Sequence, residues 1–257
     1  SFLSGLGYVF TPNFKFRGLG FCLIKFIGHF SSEIVVLNQD DFSYVINRVS
    51  NCPINICPGE GINLNEFKKL DIYKKEIDFL YLGRLIDDKG FSIFLDAVTI
   101  LSNKLPARFA CAGSGPGLSK INMFLKSGQL SPKAFSYLGQ VTDIKSLISK
   151  SRYLVLPSMR EGISRAIMEA MSLEVVCIGT DVPGIRQLIS HQETGFLIDE
   201  PNSDSLERSM FAAYFLKQED YEGIALKAKN FVQNNYAQEY VDNFYGKLIE
   251  RHLLDKK

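Results

Sequence analysis

Residues 77–101 read IDFLYLGRLIDDKGFSIFLDAVTIL, and two periods meet inside that stretch. IDFLYL is short, apolar and aromatic and breaks at Gly83-Arg84, which predicts a buried strand. From Gly90 onward the apolar residues fall at 91, 94, 95, 98 and 101, the spacing of one helix face. A strand handing over to a helix through a polar loop is the repeating unit of a parallel sheet, and this chain repeats it. ARFACAG, AFSYLGQV, RYLVLPS, EVVCIGT and GFLID read as further strands. LSKINMFLKSG, DIKSLISKS, SMREGISRAIMEAM, VPGIRQLIS and SDSLERSMFAAYFLKQE read as helices between them. Strict alternation predicts an α/β domain whose parallel sheet carries helices on both faces. In such sheets ligands bind beyond the carboxyl ends of the strands, and every polar motif of this chain falls there.

Residues 1–72 are less regular. SEIVVLNQDDFSYVINR predicts a strand and a helix, and INICPGEGINLNEF a strand running into a Gly-rich turn. The charged YKKE at 73–76 is the expected boundary, and AQEYVDNFYGKLIERHLL is a last helix with Tyr240, Phe244, Leu248 and Leu253 on one face. Three parts follow: 1–72, 73–235 and a terminal helix at 236–257. The opening SFLSGLGYVF lacks an initiator Met and is read as the start of a fragment. The net charge of +1 over 257 residues gives no electrostatic footprint for a nucleic-acid partner. Five scattered cysteines without a C-x-x-C pair read as reduced thiols of a cytoplasmic protein, with no zinc site and no disulfide framework. No apolar run approaches the ~18 residues of a membrane span.

Three loops carry the chemistry. In GRLIDDKG, Arg84 follows a strand and Lys89 precedes the helix that Gly90 opens. Two fixed cations beside a helix N-terminus suit phosphate oxygens, because free N–H groups, dipole and side-chain charge share a direction. Isolated, they would read as solvated surface charges; their place after the strand turns the reading toward an anion. Asp87 and Asp88 read as exposed first-turn acids. In AGSGPGLSK, residues 112–120, no Gly-Lys-Ser/Thr follows at P-loop spacing, and no acid stands about 20 residues on for a dinucleotide. Its glycines either admit close backbone approach or simply allow a turn. In SMREGISRAIMEAM, residues 158–171, Glu161 and Glu169 stand with seven residues between them. Were all of that helical, the carboxylates would lie ~12 Å apart, too far for the acid–nucleophile pair of a retaining glycosidase. That separation suits two ends of one elongated ligand, a sugar at one and a ribose at the other, since carboxylates accept bonds from vicinal hydroxyls. Taken singly, both are also ordinary helix glutamates.

Together these stretches resemble glycosyltransferase family 4, over residues 35 to 200 and in the family's order. Its E-x7-E hallmark is matched by Glu161 and Glu169, its diphosphate motif by YLGRLIDDKG, its Gly-x-Gly-Pro loop by CAGSGPG, and its strand and loop near the base by YLGQVTDI. GTDVPGIRQLI and GFLID resemble the segment after the E-x7-E helix, and EGISRAIMEAM with TDVPGIR looks most like the bacterial branch that builds surface polysaccharides. The resemblance implies a GT-B fold, seen here as its Rossmann-like C-terminal donor domain plus part of an N-terminal acceptor-side domain. It implies retaining, metal-independent transfer from a nucleotide sugar, UDP favoured over GDP, to a saccharide or lipid-linked acceptor, with no cofactor. Arg84 and Lys89 would neutralise the donor diphosphate. Glu161 would hold donor-sugar hydroxyls, with the N–H groups of Gly162, Ile163 and Ser164 beside it, and Glu169 the ribose. Gly83, Gly113, Gly115, Pro116, Gly139 and Val141 would line the donor site. No catalytic nucleophile is named.

Gln187 departs from the pattern, since the family often has Glu after the Pro-Gly. SGLGYVF resembles the middle of the N-terminal domain, most of whose front would be missing. FKFRGLGFCLIKFIGHF, residues 14–30, is aromatic, aliphatic and basic without acids. It reads equally as a face for peripheral contact with the inner side of the cytoplasmic membrane and as a core helix. A GT-B-shaped sugar-nucleotide epimerase and a non-catalytic nucleotide-sugar-binding module are the competing functions; His29, His191 and His252 match no epimerase pattern.

Overall fold

The computed structural model describes residues 1–3, 17–70 and 75–254. SGLGYVF and the first half of YKKE lie outside them. In the N-terminal part, β1 (Phe2–Leu3), α1 (Arg17–Phe30), β2 (Ile34–Val36), α2 (Gln39–Ile46) and β3 (Ile54–Ile56) form a three-stranded parallel sheet, ordered β1-β2-β3, with two helices. Its core is small: Ile24 of α1 and Val45 of α2 close over Ile34 and Val36, with Val49 and Cys52. Asn38 caps α2 by accepting the N–H of Asp41 at 2.8 Å.

The larger part holds β4 (Ile77–Leu82), α3 (Phe91–Leu101), β5 (Phe109–Ala112), α4 (Leu118–Lys126), β6 (Phe135–Tyr137), α5 (Ile144–Ser149) and β7 (Ser151–Leu156). It continues through α6 (Arg165–Ser172), β8 (Val176–Thr180), α7 (Pro183–Arg186), β9 (Phe196–Ile198), α8 (Ser203–Tyr214), α9 (Gln218–Tyr236) and α10 (Gln238–Leu254). The six strands pair in parallel in the order β6-β5-β4-β7-β8-β9. The order reverses between β4 and β7, and an open sheet of this kind leaves its ligand crevice at that switch point.

Alternate strand residues feed two cores. Phe79, Tyr81, Cys111, Tyr153, Val155, Val176 and Ile178 face α3, α4 and α8. Leu80, Ala110, Leu154, Leu156 and Cys177 face α5, α6 and α7. Each such side chain taken from water contributes on the order of 2 kcal/mol, so neither face could be left bare. All five apolar residues read as the α3 stripe are buried: Phe91, Phe94, Leu95, Val98 and Leu101. Ile62 and Phe67 pack into the second of these cores although they precede YKKE.

Two elements differ from the sequence reading. α9 was not anticipated; its inward stripe, Tyr221, Ile224, Ala225, Ala228, Val232 and Tyr236, alternates with small and polar residues that dilute the pattern. On α10 Val241 is buried, while Tyr240 and Leu253 of the expected stripe are 54% and 63% exposed. The break between these helices sits at Ala237. Ile62 donates to the Tyr236 carbonyl at 2.8 Å and accepts from Gln238 at 3.0 Å, so a strand-like bridge replaces the helical ladder.

Candidate functional site

The loop after β4 is stapled from beneath. Tyr81, fully buried at the strand end, donates its hydroxyl to the carbonyl of Arg84 at 2.7 Å and lies 3.3 Å from that of Lys89. Burial pushes its phenol well above the ordinary tyrosine range, so it remains a donor. Residues 87–89 form a 3-10 turn that ends at Gly90. Gly90 has φ +68°, and a Cβ there would stand 1.9 Å from the Pro157 carbonyl oxygen, so the turn lies against the loop after β7. Met159 N–H donates to Asp88 O at 2.9 Å, and Arg160 pairs with the Asp88 carboxylate. Hydrogen bonds from Ser92 and Lys120 hold the Asp87 carboxyl below its usual range. Both aspartates are thus held by cations, and no group of metal-ligating side chains occurs among the described residues.

These contacts bring Lys89 to Glu161. Lys89 Nζ lies 2.6 Å from Glu161 Oε1, which also accepts the Ser158 hydroxyl at 2.9 Å. The Arg84 guanidinium is exposed and makes no ion pair or hydrogen bond among the described residues. Glu161 itself is not in a helix. α6 begins at Arg165 with Ser164 as its cap, its Oγ accepting from Ile167, so the all-helical separation of the two glutamates is corrected to a loop followed by a short helical stretch. Serine ahead of good helix formers was the available signal for that start.

Glu169 stands one turn into α6 between Met168 and Ala170, only 6% exposed. Burial raises its carboxyl, and Arg165, donating Nε–H to Oε1 at 2.9 Å, pulls it back down. Arg165 Nη1 also reaches Glu60 Oε2 at 3.1 Å, in the Gly-Glu-Gly turn of the N-terminal part.

The strand ends of β4, β5 and β6 stay knitted past the sheet. Gly83 donates to Ala112 O at 3.1 Å and Gly113 to Gly139 O at 2.8 Å. Gly113 has φ +136°, and a Cβ on it would meet the Gly83 carbonyl oxygen at 1.8 Å. Gly115 and Gly117 pack on Leu85, carrying Pro116 between them. A cleft of about 870 Å³ opens here, walled by Gly83, Arg84, Gly113, Val141, Arg165 and Glu169. Glu161, Lys89, Gly162–Ser164, Gly115, Pro116 and Gly139 are not among its walls. Ile163 instead touches Gly59, and Gly162 offers its carbonyl to Asn38 Nδ2 at 3.1 Å.

The family model described as glycosyl transferases group 1 matches residues 63–238. The chain belongs to that family. Among its relatives is the N,N'-diacetylbacillosaminyl-diphospho-undecaprenol alpha-1,3-N-acetylgalactosaminyltransferase of Campylobacter jejuni, 27% identical over 89% of this chain and 63% of that protein. A second is the UDP-Gal:alpha-D-GlcNAc-diphosphoundecaprenol alpha-1,3-galactosyltransferase of Escherichia coli, 26% identical over 68% of this chain and 49% of that one. The chain therefore spans from about half to just under two thirds of the length of these relatives. The Anabaena protein HepE in complex with UDP shares the fold at a TM-score of 0.80 and 17% identity, over 97% of this chain and 71% of its own. The family and GT-B fold expected from the E-x7-E helix and its companion loops are those found.

Four residues of the site were not read from the sequence: Tyr81, Ser158, Arg165 and Asn38. Tyr81 looked like strand apolar content. Ser158 and Arg165 sat inside the quoted motif without a role. Asn38 acts on Gly162 across 124 residues of chain, beyond the reach of any local pattern.

Proposed function

We propose that the protein transfers a sugar from a UDP-sugar, with retention at the anomeric carbon, to a saccharide or lipid-linked acceptor in polysaccharide assembly. The observation that carries this reading is the arrangement around the switch point. A buried carboxylate, Glu169, lies in the wall of a cleft that also holds the unpaired cation Arg84, and a second carboxylate, Glu161, is held by Lys89 on the next loop. A nucleoside diphosphate sugar has its vicinal diols at both ends and two phosphates between, so carboxylates at the ends and cations between complement it.

In this reading Glu169 takes the ribose hydroxyls and Glu161 the hydroxyls of the transferred sugar. Arg84 and Lys89 neutralise the departing diphosphate, electrostatic stabilisation of the kind that dominates such reactions. The residues needed are this chain's own and require no metal. Gly113 and Val141 line the nucleoside end, with Gly139 supporting Gly113; the N–H groups of Gly162, Ile163 and Ser164 serve the sugar and phosphate end. Residues 1–72 form the acceptor side and 73–235 the donor side, with α10 belonging to the stretch that crosses back. Peripheral contact with the inner face of the cytoplasmic membrane falls to α1, whose Leu23, Phe26 and Phe30 are exposed beside Lys25. No helix among the described residues is long and apolar enough to cross a membrane.

Turnover of a panel of UDP-sugars with a lipid-diphosphate-linked acceptor, followed by release of UDP and labelled product, tests the reading. Hydrogen exchange at the second carbon of the sugar without transfer would mark an epimerase. Binding without either reaction would mark a binding module.

A further inference from the structure

We infer that Asn38 and Gln187 are positioning residues: Asn38 fixes the peptide after Gly162, and Gln187 ties the Asn38 segment to α7, whose Gly184 fixes the peptide before it, so that the N–H groups of Gly162 and Ile163 face the donor. The inference rests on the nucleotide-sugar reading of the cleft and adds to it a role for the N-terminal part. Two carbonyls of this loop are captured by the protein. Gly184 N–H donates to Glu161 O at 3.1 Å, and Asn38 Nδ2 donates to Gly162 O at 3.1 Å. In a trans peptide the C=O and the following N–H point in opposite directions. Capturing Glu161 O therefore aims the Gly162 N–H away from α7, and capturing Gly162 O aims the Ile163 N–H away from Asn38. Neither N–H donates to a protein acceptor among the described residues. Such paired donors, held from behind, form a cradle for phosphate or sugar oxygens.

The brace is built to hold still. Asn38 is 1% exposed, its Oδ1 is committed to capping α2, and its Nδ2 is shared between Gly162 O and Asp41 Oδ2. Gln187 grips the backbone on either side of it: Oε1 accepts Gln39 N–H at 2.9 Å, and Nε2 donates to Leu37 O at 3.1 Å. Nε2 also lies 3.2 Å from the Tyr236 hydroxyl, at the end of α9. An amide pairs with the N–H and C=O flanking one residue as a neighbouring strand would. A glutamate could accept from Gln39 but would set an oxygen against the Leu37 carbonyl. The departure from the family's Glu at this position is thereby given a purpose: it ties the 37–39 segment to α7 and through Asn38 to the donor loop.

Calorimetric titration with UDP and with uridine separates the phosphate end of the cleft from the nucleoside end. Asn38→Ser retains a capping oxygen for α2 and loses the donation to Gly162. The expected result is UDP affinity about tenfold weaker, the size of one lost hydrogen bond, with uridine affinity unchanged. Gln187→Glu should show the same selective loss and carries the test if Asn38→Ser does not fold. UDP affinity equal to wild type in the folded variants overturns the inference, as does an equal loss for UDP and uridine. If the wild-type chain binds UDP, GDP and ADP not at all, the donor reading itself falls, and this brace with it.

Discussion

Arg165 donates its Nε–H to Glu169 Oε1 at 2.9 Å, one turn away on α6, and no other cation reaches that carboxylate among the described residues. The relationship favours the ionised form of the buried glutamate against the effect of burial. Burial drives the Glu169 carboxyl upward, Arg165 opposes it, and Glu66 adds a small upward push. Arg165 is itself braced by Glu60, while Arg84 and Lys145 share the cleft at longer range.

The Arg165→Leu variant should therefore bind UDP with a new pH dependence. Removing the cation lifts the Glu169 carboxyl further, so its ionised form, proposed to accept the ribose hydroxyls, is lost earlier as pH falls. Titrations between about pH 8 and about pH 5 should show the variant weakening at a higher pH than wild type. Parallel pH profiles would contradict the role given to Arg165.

Lys89→Met should cost catalysis more than folding. It removes the Glu161 partner at 2.6 Å and leaves Ser158 as that carboxylate's hydrogen-bond donor. Loss of one charge-stabilising group of this type lowers kcat/KM by about 10²–10³-fold. Steady-state kinetics beside a melt of the same sample reads both quantities, and near-wild-type kcat/KM would remove Lys89 from the account.

Gly90→Ala should destabilise the protein by at least about 2 kcal/mol, since its positive φ and the Pro157 carbonyl at 1.9 Å from the new Cβ both oppose a side chain. Chemical denaturation measures it. An unchanged midpoint would mean that the two loops part without cost.

Peripheral membrane contact through α1 gives a further expectation. Phe26 and Phe30 are 63% and 72% exposed on a helix without acidic residues. Sedimentation with anionic vesicles should carry the wild-type chain down and leave a Phe26→Ser/Phe30→Ser variant in solution. Equal sedimentation of the two would assign that face to protein contact.

The sheet was legible because both of its signals are local. Strands such as IDFLYL are short runs, apolar but for Asp78, and α3 shows an undiluted stripe. α9 escaped because Ala225 and Ala228 fill positions where larger side chains would have marked the face. The site divided along the same line. Arg84, Lys89 and Glu161 stand in the loops after β4 and β7, and Glu169 in the helix that follows, all in recognisable spacing. Their partners do not, because Arg165 meets Glu60 and Asn38 meets Gly162 only once the two parts are packed. The true start of α6 was missed for a different reason: Glu161-Gly162-Ile163 reads as helix mouth, yet Gly184 and Asn38 hold those peptides outside it.

The most direct test of the donor site uses Glu169→Gln. Because burial raises the Glu169 carboxyl in the folded chain, its ionised form costs stability at neutral pH, and that cost fades as pH falls through the raised value. The variant should melt no lower than wild type at neutral pH, with any lead shrinking on acidification. Calorimetric titration of both with UDP should show binding to wild type and at least about tenfold loss in the variant, since a neutral amide accepts the ribose hydroxyls more weakly than a carboxylate. Equal UDP affinity in two equally folded proteins would contradict the assignment of Glu169 to the donor and with it the central claim.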